Sequence, residues 1–151
     1  MNATLIKNAK VLDSTGQHPF RADVLVKGNR IERIHRLSGA GAHSTTSAYG
    51  STATGSGTSL QVSADTVIEA NGATLMPGLI EAHAHPSFIN FERVEQVGEI
   101  PPEEHALAAI KNAELMLNNG FTSLFCAASA RKRTDIIVRN AINSGQFPGP
   151  R

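Results

Sequence analysis

Two histidines one residue apart, His83 and His85, are the residues of this 151-residue chain whose type and spacing best suit chemistry. On an extended strand alternate side chains share a face. The two imidazoles therefore point the same way, with Glu81 beneath them and Ala82 and Ala84 on the opposite side. A neutral imidazole is the commonest protein ligand for zinc and similar divalent ions, so one reading of the pair is half of a metal site. Two hydrogen-bonded or surface histidines would show the same spacing, and from the residues alone both readings stand. Pro86 ends the strand and leaves the pair at a loop mouth.

The remaining reactive residues offer less. His18 and His35 lie in β-rich stretches, His43 in a Gly/Ser/Thr-rich segment, and His105 in the first turn of a helix, and all four are expected to be solvated. Cys126, the single cysteine, ends a second strand with no base beside it by motif, so a small buried residue is the expectation there. No catalytic acid, base or nucleophile is identifiable in the chain.

The elements that position the pair follow from periodicity and punctuation. Residues 4–12 and 22–34 are β-rich, and Lys27-Gly28-Asn29-Arg30 places a two-residue turn inside the second run, predicting a hairpin. Residues 38–59 consist almost wholly of Gly, Ser, Thr and Ala, with Tyr49 the one large ring, and predict a flexible insertion. The β pattern resumes at 66–70, turns at Asn71-Gly72 and continues to Pro77-Gly78. Beyond it come a strand over 79–85, a helix over 103–119 opened by Pro101-Pro102 and closed by Gly120, and a strand over 121–126. A second helix runs from Thr134, as its N-cap, to Gly145. This β-α-β-α order is that of a parallel sheet or barrel. The domain expectation is a β unit over 1–77 and the start of a barrel over 78–151. A (β/α)8 barrel needs about 250 residues, so only its first two units fit and the chain looks truncated.

Bulk properties exclude more than they assign. A net charge of +1, from 14 basic and 13 acidic residues, provides no field for nucleic acid or an anionic membrane. The short cluster Arg131-Lys132-Arg133 reads as solvated loop charge. Apolar runs such as Ile136-Ile137-Val138 fall far short of the roughly 20 residues that span a bilayer. One cysteine and no signal-peptide pattern at the start fit a reducing cytoplasmic compartment.

The run Gly72-Ala73-Thr74-Leu75-Met76-Pro77-Gly78-Leu79-Ile80-Glu81-Ala82-His83-Ala84-His85 closely resembles the signature of the amidohydrolase superfamily, particularly its imidazolonepropionase and prolidase-like branch. The resemblance extends to the opening hairpin, to Gly120-Phe121-Thr122-Ser123, and to the stretch from Ala141-Ile142-Asn143-Ser144-Gly145 through Pro148-Gly149-Pro150-Arg151, leaving only the insertion outside it. It implies an α/β chain: a small N-terminal β-sandwich-like unit, then the first two β-α units of an incomplete TIM-type barrel. It also implies one or two divalent ions, zinc foremost with manganese or iron as alternatives, and makes His83 and His85 ligands of the more buried ion.

Glu81 stands where the family commonly has an aspartate, and either hydrogen-bonds and steadies the ligands or is a carboxylate at the rim of the core. The other family ligands are a lysine that is often carboxylated, two further histidines and a proton-shuttling aspartate. They come from later strands, and nothing here corresponds to them. Phe88 and Phe91 either line a pocket or cover the barrel rim, packing being the commoner role. The implied activity is hydrolysis of amide-type carbon–nitrogen bonds of a small molecule, with this N-terminal portion inactive by itself. The alternative is a non-catalytic metal-binding or interaction module. Exposed strand edges would favour a homo-oligomer.

Overall fold

A computed structural model of the chain describes residues 2–37, 58–89 and 92–151. Most of the expected insertion, together with His43 and Tyr49, lies outside the described residues, as does Phe91. Contacts divide the chain into two compact units, Met1–Pro77 and Gly78–Arg151.

The first unit is a mixed sheet of β1 (Ala3–Val11), β2 (Phe20–Lys27), β3 (Arg30–Arg36), β4 (Thr66–Glu69) and β5 (Thr74–Leu75), in the order β3-β2-β1-β4 with β5 also on β1. The predicted hairpin forms: Lys27 pairs with Arg30, and Gly28 takes a φ of 58° that glycine adopts without a Cβ penalty. β1 runs antiparallel to β2 and parallel to β4 and β5. Alternation along β2 sends Ala22 and Val24 into one apolar cluster with Ala9 and Val11, and Leu25 into another with Leu5 and Leu60.

A bulge in β1 between Ile6 and Ala9 holds Asn8 at a φ of 56°, where its N–H donates to Asp23 Oδ1 at 2.7 Å. The other Asp23 oxygen accepts from Ser59 Oγ at 2.8 Å and Leu60 N at 2.7 Å. Burial pushes this wholly buried carboxyl up. The hydrogen bonds from Asn8, Leu60 and Ser59, with the Lys7 charge, outweigh burial and hold it below its ordinary value.

These contacts correct the expected limits of the insertion. Ser59 is tied to Asp23, and the Thr58 carbonyl meets His35 Nε2 at 2.7 Å, so ordered packing begins at least two residues before Leu60. His35 itself is 9% exposed and not solvated, because the segment after the insertion covers it.

The second unit contains β6 (Leu79–Ala84), a 3-10 turn (Val94–Gly98), α1 (Pro102–Asn118), β7 (Phe121–Cys126) and α2 (Thr134–Asn143), with β6 and β7 parallel. α1 starts with Pro102 and two first-turn acids, Glu103 and Glu104, that suit the positive end of the helix dipole. It stops at Gly120, whose φ of 94° lets the chain reverse into β7. Its small buried residues Ala109 and Ala113 bring α2 close, through Val138. Thr134 is the first residue of α2 and not its cap: Arg133, at a φ of 68°, occupies that position.

Gly78 explains why Pro-Gly opens β6. A Cβ there would lie 2.2 Å from both Thr122 Cγ2 and Oγ1, so the close approach to β7 needs glycine. At the other end, Arg151 N donates to Thr122 O and Leu124 N donates to Arg151 O, the two-bond pattern by which a parallel neighbour brackets one residue. The chain is therefore mixed α/β. Among the described residues no helix is long and apolar enough to cross a membrane.

Candidate functional site

β6 delivers His83 within the strand and His85 just past its C-terminal end. Their ring centroids are 5.0 Å apart and meet edge to face at 72°. Pro86 occupies the second position of a turn closed by Phe88 N donating to His85 O at 3.0 Å, a place its fixed φ favours.

His85 is oriented from two directions. Its Nδ1 lies 3.1 Å from the Ala128 carbonyl; a carbonyl only accepts, so the proton belongs on Nδ1 and Nε2 keeps its lone pair. Phe88 stacks on the same imidazole, centroids 4.4 Å apart and planes within 20°. Phe88 thus packs against the histidine and limits its rotation. Glu81 is half-buried, and its Oε1 accepts from the backbone N–H of His83 at 3.0 Å, steadying the backbone that carries the first imidazole.

The donor set fits part of a divalent-ion site. An imidazole bound at about 2.0–2.1 Å holds its ring centre about 3.2 Å from the ion, so two on one tetrahedral ion sit roughly 5 Å apart. The observed 5.0 Å agrees, and His85 Nε2 is the nitrogen left available. Among the described residues no three His, Cys, Asp or Glu side chains come together around one point, so no third such side chain joins the pair there. A shallow cavity of about 320 Å³ borders the pair, with Glu81, Pro86 and, from α1, Asn112, Leu115 and Met116 on its walls.

Cys126 is half-buried beside this site. Its Sγ donates to Asp135 Oδ2 at 2.7 Å and approaches Ala128 O at 3.2 Å. Burial, then the Asp135 hydrogen bond and charge, push the thiol up to about 11, so it stays protonated near neutral pH and is a poor nucleophile.

His105 overturns its expectation. It is fully buried, with Nε2 on the Ser87 carbonyl, because the first turn of α1 lies under the loop that follows β6. Ser87 is equally buried, and its Oγ accepts from Ala130 N at 3.0 Å. Asn112 Nδ2 donates to Pro86 O at 3.0 Å. Ser87 and Asn112 carry no signal in the sequence, where Pro86, Phe88 and Phe91 mark the loop. His18 is exposed, as expected.

No family model matches the chain. It is 28% identical over 87 residues to the 5-methylthioadenosine/S-adenosylhomocysteine deaminase of Pyrococcus horikoshii, covering 58% of this chain and 15% of that protein. It is 26% identical over 151 residues to the dihydroorotase of Streptomyces coelicolor, covering 99% of this chain and 26% of that one. Among solved structures it is similar to an amidohydrolase, with 25% identity and a TM-score of 0.68 over 99% of this chain and 30% of the other. A Xaa-Pro dipeptidase with bound methionine shares the fold, with 24% identity and a TM-score of 0.74 over 99% of this chain and 32% of the other. The chain is thus similar to amidohydrolase-superfamily proteins along almost its whole length, and it spans about a quarter or less of the curated relatives.

Proposed function

We propose that this chain is part of a metal-dependent hydrolase of amide-type carbon–nitrogen bonds in small molecules, with His83 and His85 as two ligands of a divalent ion. Zinc is the first candidate, with manganese or iron as alternatives, and the complete site holds one or two ions. The observation that carries this reading is the imidazole pair at the end of β6, 5.0 Å apart, with His85 Nδ1 on the Ala128 carbonyl. A carbonyl partner on the far nitrogen is the usual support for a metal-bound histidine. The similarity to an amidohydrolase and to a protein named dihydroorotase supports the reaction class.

In this reading residues 78–151 form the first two β-α units of a (β/α)8 barrel, and the single mixed sheet within residues 1–77 is one layer of a small β-sandwich-like unit. Arg151 pairing onto β7 supports a third parallel strand, and the position of the pair agrees with barrels placing their chemistry at strand C-termini. When bound, the ion would polarise the carbonyl of the scissile bond. The chain's own part is to hold and orient: Ala128 O fixes the tautomer of His85, Phe88 covers its ring, and Glu81 anchors the backbone at His83. With two ligands among the described residues, and the Glu81 carboxylate engaged on the His83 N–H, the chain by itself is inactive in this account. The single cysteine and near-neutral charge suit a cytoplasmic protein without nucleic-acid or membrane partners, and exposed Ile80 and Phe125 suit self-association.

A second reading, a non-catalytic metal-binding or interaction module, is favoured by the same count of two ligands. Reading the coding sequence beyond Arg151 separates the two. Further β-α units with His and Asp at strand ends, and metal-dependent cleavage of amides, N-acyl amino acids or lactams by that product, are expected. An immediate stop codon would instead favour the module.

A further inference from the structure

The loops after β6 and β7 are stitched together around the proposed ligand. Ala127 N donates to Ala84 O at 2.9 Å, His85 Nδ1 meets Ala128 O at 3.1 Å, and Ala130 N donates to Ser87 Oγ at 3.0 Å. The middle contact, which sets the His85 tautomer, therefore sits between two others. One of these hangs on Ser87, and Ser87 is held from the opposite side by His105 Nε2 donating to its carbonyl.

His105 is an unusual choice for a filler. It is fully buried in the first turn of α1, and its Nδ1 has no hydrogen-bond partner among the described residues. Burying an unpaired ring nitrogen is unfavourable, and an apolar side chain would fill the space without that penalty. What an apolar residue lacks is the N–H that reaches Ser87. The neutral form with the proton on Nε2 makes that bond and leaves Nδ1 as the orphan, so the observed pattern is that of a ring retained for one donor.

We propose that His105 and Ser87 are positioning residues for the metal centre. His105 clamps the Ser87 carbonyl, Ser87 Oγ clamps the β7 loop at Ala130, and together they hold the Ala128 carbonyl where it fixes the Nδ1–H tautomer of His85. Asn112, on the same helix as His105, ties the Pro86 carbonyl and braces the clasp one residue closer to the ligand. The inference rests on the reading of His85 as a ligand, but its first consequence, the His85 tautomer, exists without any metal.

The test uses the 151-residue chain labelled with ¹⁵N, its histidine tautomers read from long-range ¹H–¹⁵N spectra at a pH where the rings are neutral, and zinc affinity measured separately. The variants are His105→Phe, which removes the donor, Ser87→Ala, which removes the second tie, and His105→Gln, whose amide can still donate to Ser87. In the parent chain His85 is expected as the Nδ1–H form and His105 as the Nε2–H form. Both donor-loss variants should give a mixed His85 tautomer and about 10-fold weaker zinc binding, while His105→Gln stays within about 2-fold of the parent. A single Nδ1–H tautomer and unchanged zinc affinity in folded His105→Phe and Ser87→Ala would overturn the proposal. If His105→Phe fails to fold, Ser87→Ala decides it. Zinc binding that ignores both His83→Ala and His85→Ala would instead refute the ligand reading, with the tautomer spectra still testing the clasp.

Discussion

Replacing Gly78 by alanine should destabilise the second unit. An alanine Cβ would lie 2.2 Å from Thr122 Cγ2 and Oγ1 and 2.7 Å from Thr122 Cβ. Ordinary contact begins near 3.4 Å, so relief needs a movement of about 1 Å. Rotating the threonine cannot supply it, because its Cβ is fixed to the β7 backbone and is itself too close. The two strands must spread, in a sheet where Leu79 N donates to Gly120 O at 2.8 Å. Overpacking of this kind costs about 1–3 kcal/mol. For a chain of 151 residues that lowers Tm by roughly 2–12 °C. Urea and thermal denaturation followed by circular dichroism would measure it, and a double-mutant cycle with Thr122→Gly should recover most of the loss by removing the opposing side chain. A Gly78→Ala protein as stable as the parent would show that the Thr122 contact does not demand glycine, and so would a loss that Thr122→Gly leaves unchanged.

Asp23→Ala strands three donors, Asn8 N, Leu60 N and Ser59 Oγ, and should cost about 2–4 kcal/mol by urea denaturation. Because the folded carboxyl lies below its ordinary value, its contribution is complete above about pH 4 and is lost as pH falls through the lower folded value. The parent should therefore lose more stability than Asp23→Ala between pH 5 and pH 2, and equal losses would count against the linkage. Alkylation of Cys126 by iodoacetamide should accelerate with an inflection near 11, as the raised thiol value requires, and Asp135→Asn should move the inflection down; an inflection near 9 in the parent would contradict the contact. Joining residue 37 to 58 should change stability by less than about 1 kcal/mol, since loop closure varies by about 0.6 kcal/mol per doubling of length. Extending the deletion through Ser59 should cost more, because Asp23 then loses the Ser59 hydroxyl. Equal melting temperatures for the two deletions would show that this tie contributes nothing.

Much of the second unit is legible in the sequence because its signals are local. Alternation puts His83 and His85 on one side, Pro86 ends the strand, Pro102 and Gly120 bracket α1, and the bounds expected for β7 match the structure. The hairpin at Gly28-Asn29 is legible for the same reason. What escapes are contacts between distant residues. His105 reads as a first-turn, solvated residue, and its burial follows only from meeting Ser87, 18 positions earlier. Asp23 looks like an ordinary polar residue within β2 until Ser59, 36 positions away, arrives to bond it. Composition alone therefore drew the insertion two residues too long. Thr134 has the residue type of an N-cap, yet the left-handed Arg133 before it takes that place. For Glu81 the sequence leaves two roles open, support for the ligands or a carboxylate at the rim of the core, and in the structure its carboxylate accepts from the N–H of His83.

If His83 and His85 bind one divalent ion together, as proposed, both imidazoles must lie in its coordination sphere. Loading the 151-residue chain with zinc and recording its X-ray absorption at the zinc edge tests it most directly. Scattering from two imidazoles with oxygen donors completing the coordination is expected, and loss of that imidazole pair in both His83→Ala and His85→Ala. Zinc bound through sulfur, or an unchanged imidazole count in either variant, would contradict it.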